Sequence, residues 1–354
     1  MTAATAAPRP AEPGIRFPHE APPAPGAAIE VAPGVLWMRL PLPMALDHVN
    51  VFALDDGDGW TIIDTGFSSK RAKAEWQTLL DGPLGGRPVR RVVVTHHHPD
   101  HVGLAGWFQT EHGAELVTTR TAWLFARMLL LDAHAQPVPE TIAFWRGAGL
   151  EEDEIARRIA ERPFNFCDVV DPMPLGFTRV GEGHEVTMGG RRWVVHCGNG
   201  HAPEHATFWS LDDDLVIGGD QLLPGISANL GVYATEPGAD PVGDWIESCT
   251  RLAAFAEDRH LVLPGHKLPF TGLPLRLRQM VENHQGALIR LHGWLAEPKT
   301  AAQCFLPLFK REITGPAAGM ALVEAVAHLN RLLVEGRVRR WRDVRGAWLW
   351  QALG

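Results

Sequence analysis

The residues best suited to chemistry lie in VVVTHHHPDHVG, where an apolar run ends at Thr95 and His96, His98, Asp100 and His101 follow within six positions. Imidazole and carboxylate are the donors that Zn²⁺ and related first-row ions accept, three or four to an ion. Alternate residues of an extended segment point the same way, so His96 and His98 can approach one ion while His97 points elsewhere, and Asp100 with His101 faces a neighbouring position. One loop cannot complete such a site. Three later loops offer what is missing: GNGHAPEH (198–205), IGGDQL (217–222) and LPGHKL (263–268), each after an apolar run and each carrying His or Asp. A lone His beside a strand is more often structural or merely exposed. Four donors in one loop, followed by three strand-end loops with donors, are poorly explained that way. The triple His is also internal, unlike a tag.

Positioning such loops requires strands. Short β-like runs read at VLWMRL (35–40), VNVFAL (49–54), WTIIDTG (60–66) and VRRVVVTH (89–96), and a second set at RRWVVHC (191–197), ATFWSL (206–211), DLVIGG (214–219) and HLVLPG (260–265). Helical patterns at 69–81 and 101–112 alternate with them, as a layered α/β domain requires. The strand order suggests two similar halves facing each other. Residues 120–163 read as an inserted helical cap, with Trp123, Leu124, Met128 and Leu131 followed by the acidic helix start EEDEIARRIAER.

The ends differ in character. Residues 1–28 are rich in Ala, Pro and Gly and read as a flexible lead, with order expected from Ile29. A long helix over 275–295, within a connecting segment at 273–298, is followed at 299–354 by helix (301–311), helix (317–335) and two short strand-like runs, a winged-helix pattern.

With 354 residues the chain exceeds one small domain, and a formal charge of −8 gives no global attraction to polyphosphate. Four dispersed cysteines, no apolar leader and no stretch of 18 uninterrupted apolar residues fit a cytoplasmic protein outside the membrane. Thirteen Trp against one Tyr is the unusual feature of composition.

THHHPDH matches the T-H-x-H-x-D-H signature of the metallo-β-lactamase superfamily, and the later loops resemble its remaining motifs in order, from about Ile29 to Phe270. The resemblance implies a four-layer αββα sandwich over 29–272. Carried over by position, it implies one ion on His96, His98 and His201, a second on Asp100, His101 and His266, and Asp220 bridging. Asp64 of WTIIDTG would support the metal loop from behind, and His205 would orient its neighbours. Zinc is expected first, with Fe or Mn²⁺ as alternatives. True β-lactamases lack the bridging Asp, so antibiotic cleavage is not expected. The donor set looks more like that of glyoxalase II-type hydrolases, and a flavodiiron oxidase would show Glu at position 98 and a flavin domain.

Two ions about 3.5 to 4 Å apart can activate a water held between them, with Asp100 accepting or relaying its proton. The expected reaction is hydrolysis of a small thioester or ester. Ser227, Asn229 and Tyr233, after Asp220, are candidate substrate contacts. Two alternatives are retained. One is an endoribonuclease acting on single strands, for which Arg331, Arg337, Arg339, Arg340, Arg342 and Arg345 would supply a local basic surface. The other is a DNA-binding regulator whose hydrolase fold senses a metabolite. A homodimer is also expected, because the cap and the long C-terminal helix could each form an interface.

Overall fold

The computed structural model describes residues 14–315 and 317–353. A seven-stranded sheet has the order β1 (Ile29–Ala32), β2 (Val35–Pro41), β3 (His48–Asp55), β4 (Trp60–Ile63), β5 (Val89–Val93), β6 (Glu115–Thr119) and β7 (Thr178–Val180). Its first four strands are antiparallel, and β4 to β7 run parallel. The second sheet is built from β8 (Glu185–Met188), β9 (Arg191–Gly198), β10 (His205–Ser210), β11 (Leu215–Gly219) and β12 (Leu261–Pro264), antiparallel except for the β11–β12 pair. The two halves expected from strand order thus share a plan, hairpins joined to a parallel edge, without being equal in size.

Period-two side-chain alternation separates the layers. Trp37, Phe52, Ile63 and Val93 of one sheet meet Trp193, Val195, Phe208 and Ile217 of the other. Their neighbours Met38, Val51, Ile62 and Val92 turn outward onto helices α1 (Lys70–Asp81) and α3 (Ala105–Glu111), which follow the short turn of helix α2 (Pro99–Val102). Burial on both faces makes these strands largely apolar, with Arg39 of β2 and Arg90 and Arg91 of β5 as exceptions, which is why the runs stand out in the sequence. The outer face of the second sheet, with Trp209, Val216 and Val262, is covered by helices on its other side, completing the αββα sandwich.

Residues 120–163 form α4 (Arg120–Leu131), α5 (Pro139–Gly147) and α6 (Glu152–Ala160). Helix α4 borders the strand-end loops, with Phe125 against His97 and Thr121 bonded to Glu204. The α5–α6 turn reaches instead to the C-terminal unit, where Ala302 N donates to Ala148 O at 3.0 Å and Arg345 pairs with Glu151 at 2.6 Å.

Helices α7 (Pro241–Leu252) and α8 (Leu273–Trp294) cover the second sheet. The C-terminal unit follows as a 3₁₀ turn (Ala301–Cys304), α9 (Phe305–Phe309), α10 (Ala317–Val334) and a hairpin of β13 (Val338–Arg342) and β14 (Trp348–Ala352). The second helix and the two strands fall where the sequence reading puts them, whereas the helix expected at 301–311 is a 3₁₀ turn followed by a five-residue helix ending at Phe309. The segment at 273–298 is more than a connector, however, because Leu277, Met280, Leu288 and Leu291 of α8 share one core with Trp245 of α7, Leu322 and Leu329 of α10 and Trp350 of β14. Helix α10 is long and apolar enough by composition to cross a membrane, yet its apolar residues Leu322, Ala325, Leu329 and Leu332 lie in this core. Many of the tryptophans serve packing: Trp37, Trp76, Trp193, Trp245 and Trp350 are among the largest fully buried side chains.

The flexible lead needs correction. Residues 1–13 lie outside the described part, but Arg16 and Thr271 pair through their backbones (3.2 and 2.9 Å), Ile15 packs on the core beside α8, and Gly26 N donates to the Glu75 carboxylate. Pro and Gly composition conceals this attachment because it is made by backbone groups. The four cysteines are free thiols.

Candidate metal centre

All seven expected donors meet at one edge of the sandwich, where the strand ends of both sheets converge. Three sets of donor atoms lie within 4.8 Å of one another: His96, His98 and His201; His96, His101 and Asp220; Asp100, His101 and His266. Thr95 leaves β5 with its backbone N–H donating to Asp64 Oδ1 at 2.8 Å and its hydroxyl donating to Oδ2 at 2.9 Å. The same Oδ2 accepts from His101 Nδ1 at 2.7 Å. Asp64 therefore fixes the start of the loop and one of its rings, from a left-handed backbone position (φ 58°) that Asp tolerates better than most residues.

The rings share a rule: Nδ1 donates outward, leaving the Nε2 lone pair to face inward. His96 Nδ1 donates to the Thr95 hydroxyl oxygen at 3.0 Å, His201 Nδ1 to the Asn229 carbonyl at 2.9 Å, and His266 Nδ1 to the His48 carbonyl at 2.8 Å. These partners assign the tautomers. His98 is the exception and faces inward through Nδ1, 3.0 Å from His96 Nε2 and 2.9 Å from His201 Nε2. Three nitrogen lone pairs meeting at that range call for a cation among them.

Asp220 lies between the two groups. Its Oδ2 is 3.5 Å from His201 Nε2 and 3.2 Å from His266 Nε2, and its Oδ1 is 3.5 Å from His101 Nε2. Asp100 Oδ2 is 3.4 Å from His266 Nε2 and 3.7 Å from His101 Nε2. His101 Nε2 and Asp220 Oδ1 are buried with no hydrogen-bond partner among the described residues, a costly arrangement for two polar atoms and one that a cation between them would satisfy.

The electrostatics point the same way. Burial of the His96 and His98 rings, reinforced by the surrounding imidazoles, holds both well below the ordinary histidine range, as neutral donors. Burial alone would do the same to His101, but Asp220, Asp100 and Asp64 outweigh it and raise its pKa well above the usual value. At His266 the opposition of burial to Asp220 and Asp100 ends at about 10. Burial works against the charged form of Asp220, yet His266 and His101 hold its carboxyl well below the usual carboxylate range. The carboxylates thus demand positive charge, which protons can supply and divalent ions would supply in exchange for those protons. The donor set fits such ions.

His205 lies outside the three donor sets. Its Nε2 accepts the Asp220 backbone N–H at 3.0 Å, and its ring stacks on His96 at 4.4 Å, so it supports two donors from behind. His97 turns away and packs on Phe125 of α4 at 5.0 Å. The loop carrying His201 depends on Gly200, whose φ is 100° and whose α-carbon faces the Pro241 carbonyl and Trp245 of α7 too closely for a side chain. Glu204 in that loop accepts from Thr121 N at 3.1 Å, tying it to the first turn of α4.

The expected substrate contacts fare differently. Ser227 and Tyr233 are exposed. The Asn229 amide donates to Glu324 Oε2 at 2.8 Å, so this side chain is already engaged and its carbonyl is the part that meets the site. Sequence reading misses His48 and Glu324. His48 acts through its carbonyl, for which no residue type is a signal.

Comparison with known proteins agrees with this geometry. A structure from Burkholderia ambifaria described as a beta-lactamase domain protein is 35% identical, covers 96% of this chain and 98% of its own, and superposes with a TM-score of 0.87. A metallo-beta-lactamase family protein from Thermus thermophilus is 26% identical, with coverage of 91% and 100% and a TM-score of 0.75. "Probable metallo-hydrolase YqjP" of Bacillus subtilis (strain 168) is 26% identical over 310 residues, 85% of this chain and 92% of that protein. Residues 288–353 match the family described as metallo-beta-lactamase-like, C-terminal domain. Residues 44–266, which include every donor in the centre, match the model of the metallo-beta-lactamase superfamily, and to that superfamily the chain belongs.

Proposed function

We propose that the chain is a metallo-hydrolase acting on a small thioester or ester, with a centre for two divalent ions, zinc first among them. The observation that carries this reading is Asp220, whose carboxylate faces His201 on one side and His266 and His101 on the other. His96, His98 and His201 would hold one ion and Asp100, His101 and His266 the second. When bound, such ions supply an activated water and polarise the bond to be cleaved. Asp100, with a side chain 16% exposed against 9% for Asp220, is the more accessible carboxylate and is suited to accept a proton and return it to the leaving group.

The state of the tail arginines favours a small substrate over nucleic acid. Arg331 pairs with Asp240 and Glu335, Arg337 with Glu335 and Arg345 with Glu151, while Arg340 and Arg342 lie over Trp348. Arg339, Arg340 and Arg342 keep their charge on the exposed face of β13, but a formal charge of −8 gives the chain no global attraction for a phosphate backbone. We read the C-terminal unit as a winged helix that packs on the sandwich. The test is a panel of thioesters, esters and single-stranded RNA, assayed before and after chelation and metal return. Chelator-sensitive hydrolysis of a thioester or ester with intact RNA is expected. RNA cleavage with inert esters would overturn the substrate class.

A further inference from the structure

The candidate metal centre is linked to the C-terminal unit through Asn229. Along the segment after Asp220, Ala228, Leu230 and Val232 are buried in the core shared with α8 and α10, while Asn229 between them is half-buried. The start of the segment is anchored by Arg276, which donates to the Leu223 and Ile226 carbonyls. Its later part rests on α10: Val232 N donates to Val323 O at 3.1 Å, and the Asn229 amide donates to Glu324 Oε2 at 2.8 Å. Asn229 thus has two attachments, its side chain to the C-terminal unit and its carbonyl to His201 Nδ1 at 2.9 Å.

We propose that Glu324 is a positioning residue for the metal centre: by holding the Asn229 side chain it sets the Asn229 carbonyl against His201, so the C-terminal unit fixes the orientation of a metal donor. The inference rests on the metal-centre reading above. An imidazole whose Nδ1–H is anchored presents Nε2 in one tautomer and one direction, and loss of such outer partners weakens metal binding. Glu324 belongs to an element that supplies no donor itself and lies 95 residues from Asn229 in the chain. Burial pushes the Glu324 carboxyl up to about 7 against the pull of the Asn229 hydrogen bond, and either protonation state leaves an acceptor oxygen for the amide. Glu324→Gln keeps that acceptor and Glu324→Ala removes it.

The test compares metal-loaded full-length wild type with Glu324→Ala, Glu324→Gln, Asn229→Ala and the Glu324→Ala/Asn229→Ala double variant. Zinc affinity is read by chelator competition and ligand geometry by the visible spectrum of the Co²⁺-substituted protein. Glu324→Ala and Asn229→Ala should each weaken the affinity of one ion about 10-fold and shift the Co²⁺ bands. Glu324→Gln should stay within about 2-fold of wild type, and the double variant should be no weaker than the more impaired single one, because both act through one link. Wild-type affinity and spectrum in a folded Glu324→Ala protein would overturn the proposal while leaving the metal centre standing. If that variant does not fold, unchanged affinity in Asn229→Ala overturns it equally. A wild type that binds no metal would overturn both.

Discussion

His101 and Asp64 form a buried pair in which His101 Nδ1 donates to Asp64 Oδ2 at 2.7 Å, and neither residue is more than 2% exposed. The same carboxylate accepts the Thr95 N–H and hydroxyl, so a single side chain that contributes no donor to the centre sets both the loop and one of its rings.

Asp64→Asn isolates that role. Asn keeps the shape and tolerates the left-handed backbone, but one acceptor becomes an N–H₂ facing a donor from Thr95 or His101. Metal affinity should fall about 10- to 100-fold, and stability by about 1 to 3 kcal/mol, the cost of an unpaired buried group. Chelator competition and denaturant unfolding check both values. Wild-type affinity in this variant would contradict the role.

Gly265→Ala should disable the centre without touching a donor. A Cβ at Gly265 would overlap Asp220 Oδ1 and lie 2.8 Å from His101 Cε1. The backbone cannot retreat easily, because Gly265 N donates to Gly219 O and its carbonyl accepts from Asn50 N. The Asp220 carboxylate must therefore move. Loss of at least one bound ion and most turnover, with a wild-type far-ultraviolet spectrum, is the expected outcome; full metal occupancy would show that Asp220 is free to adjust.

The buried pair His284 and His328 should make the fold acid-sensitive. The rings are 4% and 2% exposed, His284 Nδ1 and His328 Nε2 are 3.2 Å apart, and His328 Nδ1 donates to the Glu324 carbonyl. Burial, aided by the neighbouring ring, pushes His284 down to about 3; burial also pushes His328 down to about 4. Both are neutral in the folded state, whereas the unfolded chain takes up protons below about pH 6.5. Stability from this pair is therefore complete above that pH and is lost as pH falls toward 4, by up to about 1.4 kcal/mol per pH unit for each ring. Replacing both with Leu should flatten the slope of unfolding free energy between pH 6.5 and 4.5 relative to wild type. An unchanged slope would count against it.

Much of the centre is readable from the chain because its donors sit at the ends of strands buried on both faces. Short apolar runs (VVV at 92–94, WVV in β9, LVI in β11, LVLP in β12) precede the donor loops, and His or Asp within a few residues of each is conspicuous. Elements that form by pairing alone are less visible: β7 is only Thr178–Val180, held by its parallel partner β6, and no periodicity announces it. Helix α7 is a different omission. Asp240 followed by Pro241 is a recognisable start, with Asp240 Oδ1 accepting from Gly243 N at 3.0 Å, and sequence reading places no element there. Glu324 could not be found by pattern, since its partner lies 95 positions away and a Glu on a helix is ordinary. The attachment of residues 14–28 is equally hidden, because backbone pairing at Arg16 leaves no trace in composition.

The most direct measurement is the metal content of the purified protein after reconstitution with Zn²⁺ and removal of excess ion, by elemental analysis against protein concentration. Convergence of His96, His98 and His201 on one side of Asp220 and of Asp100, His101 and His266 on the other predicts close to two ions per chain. A stoichiometry of one, or none, would contradict a centre in which Asp220 serves both positions.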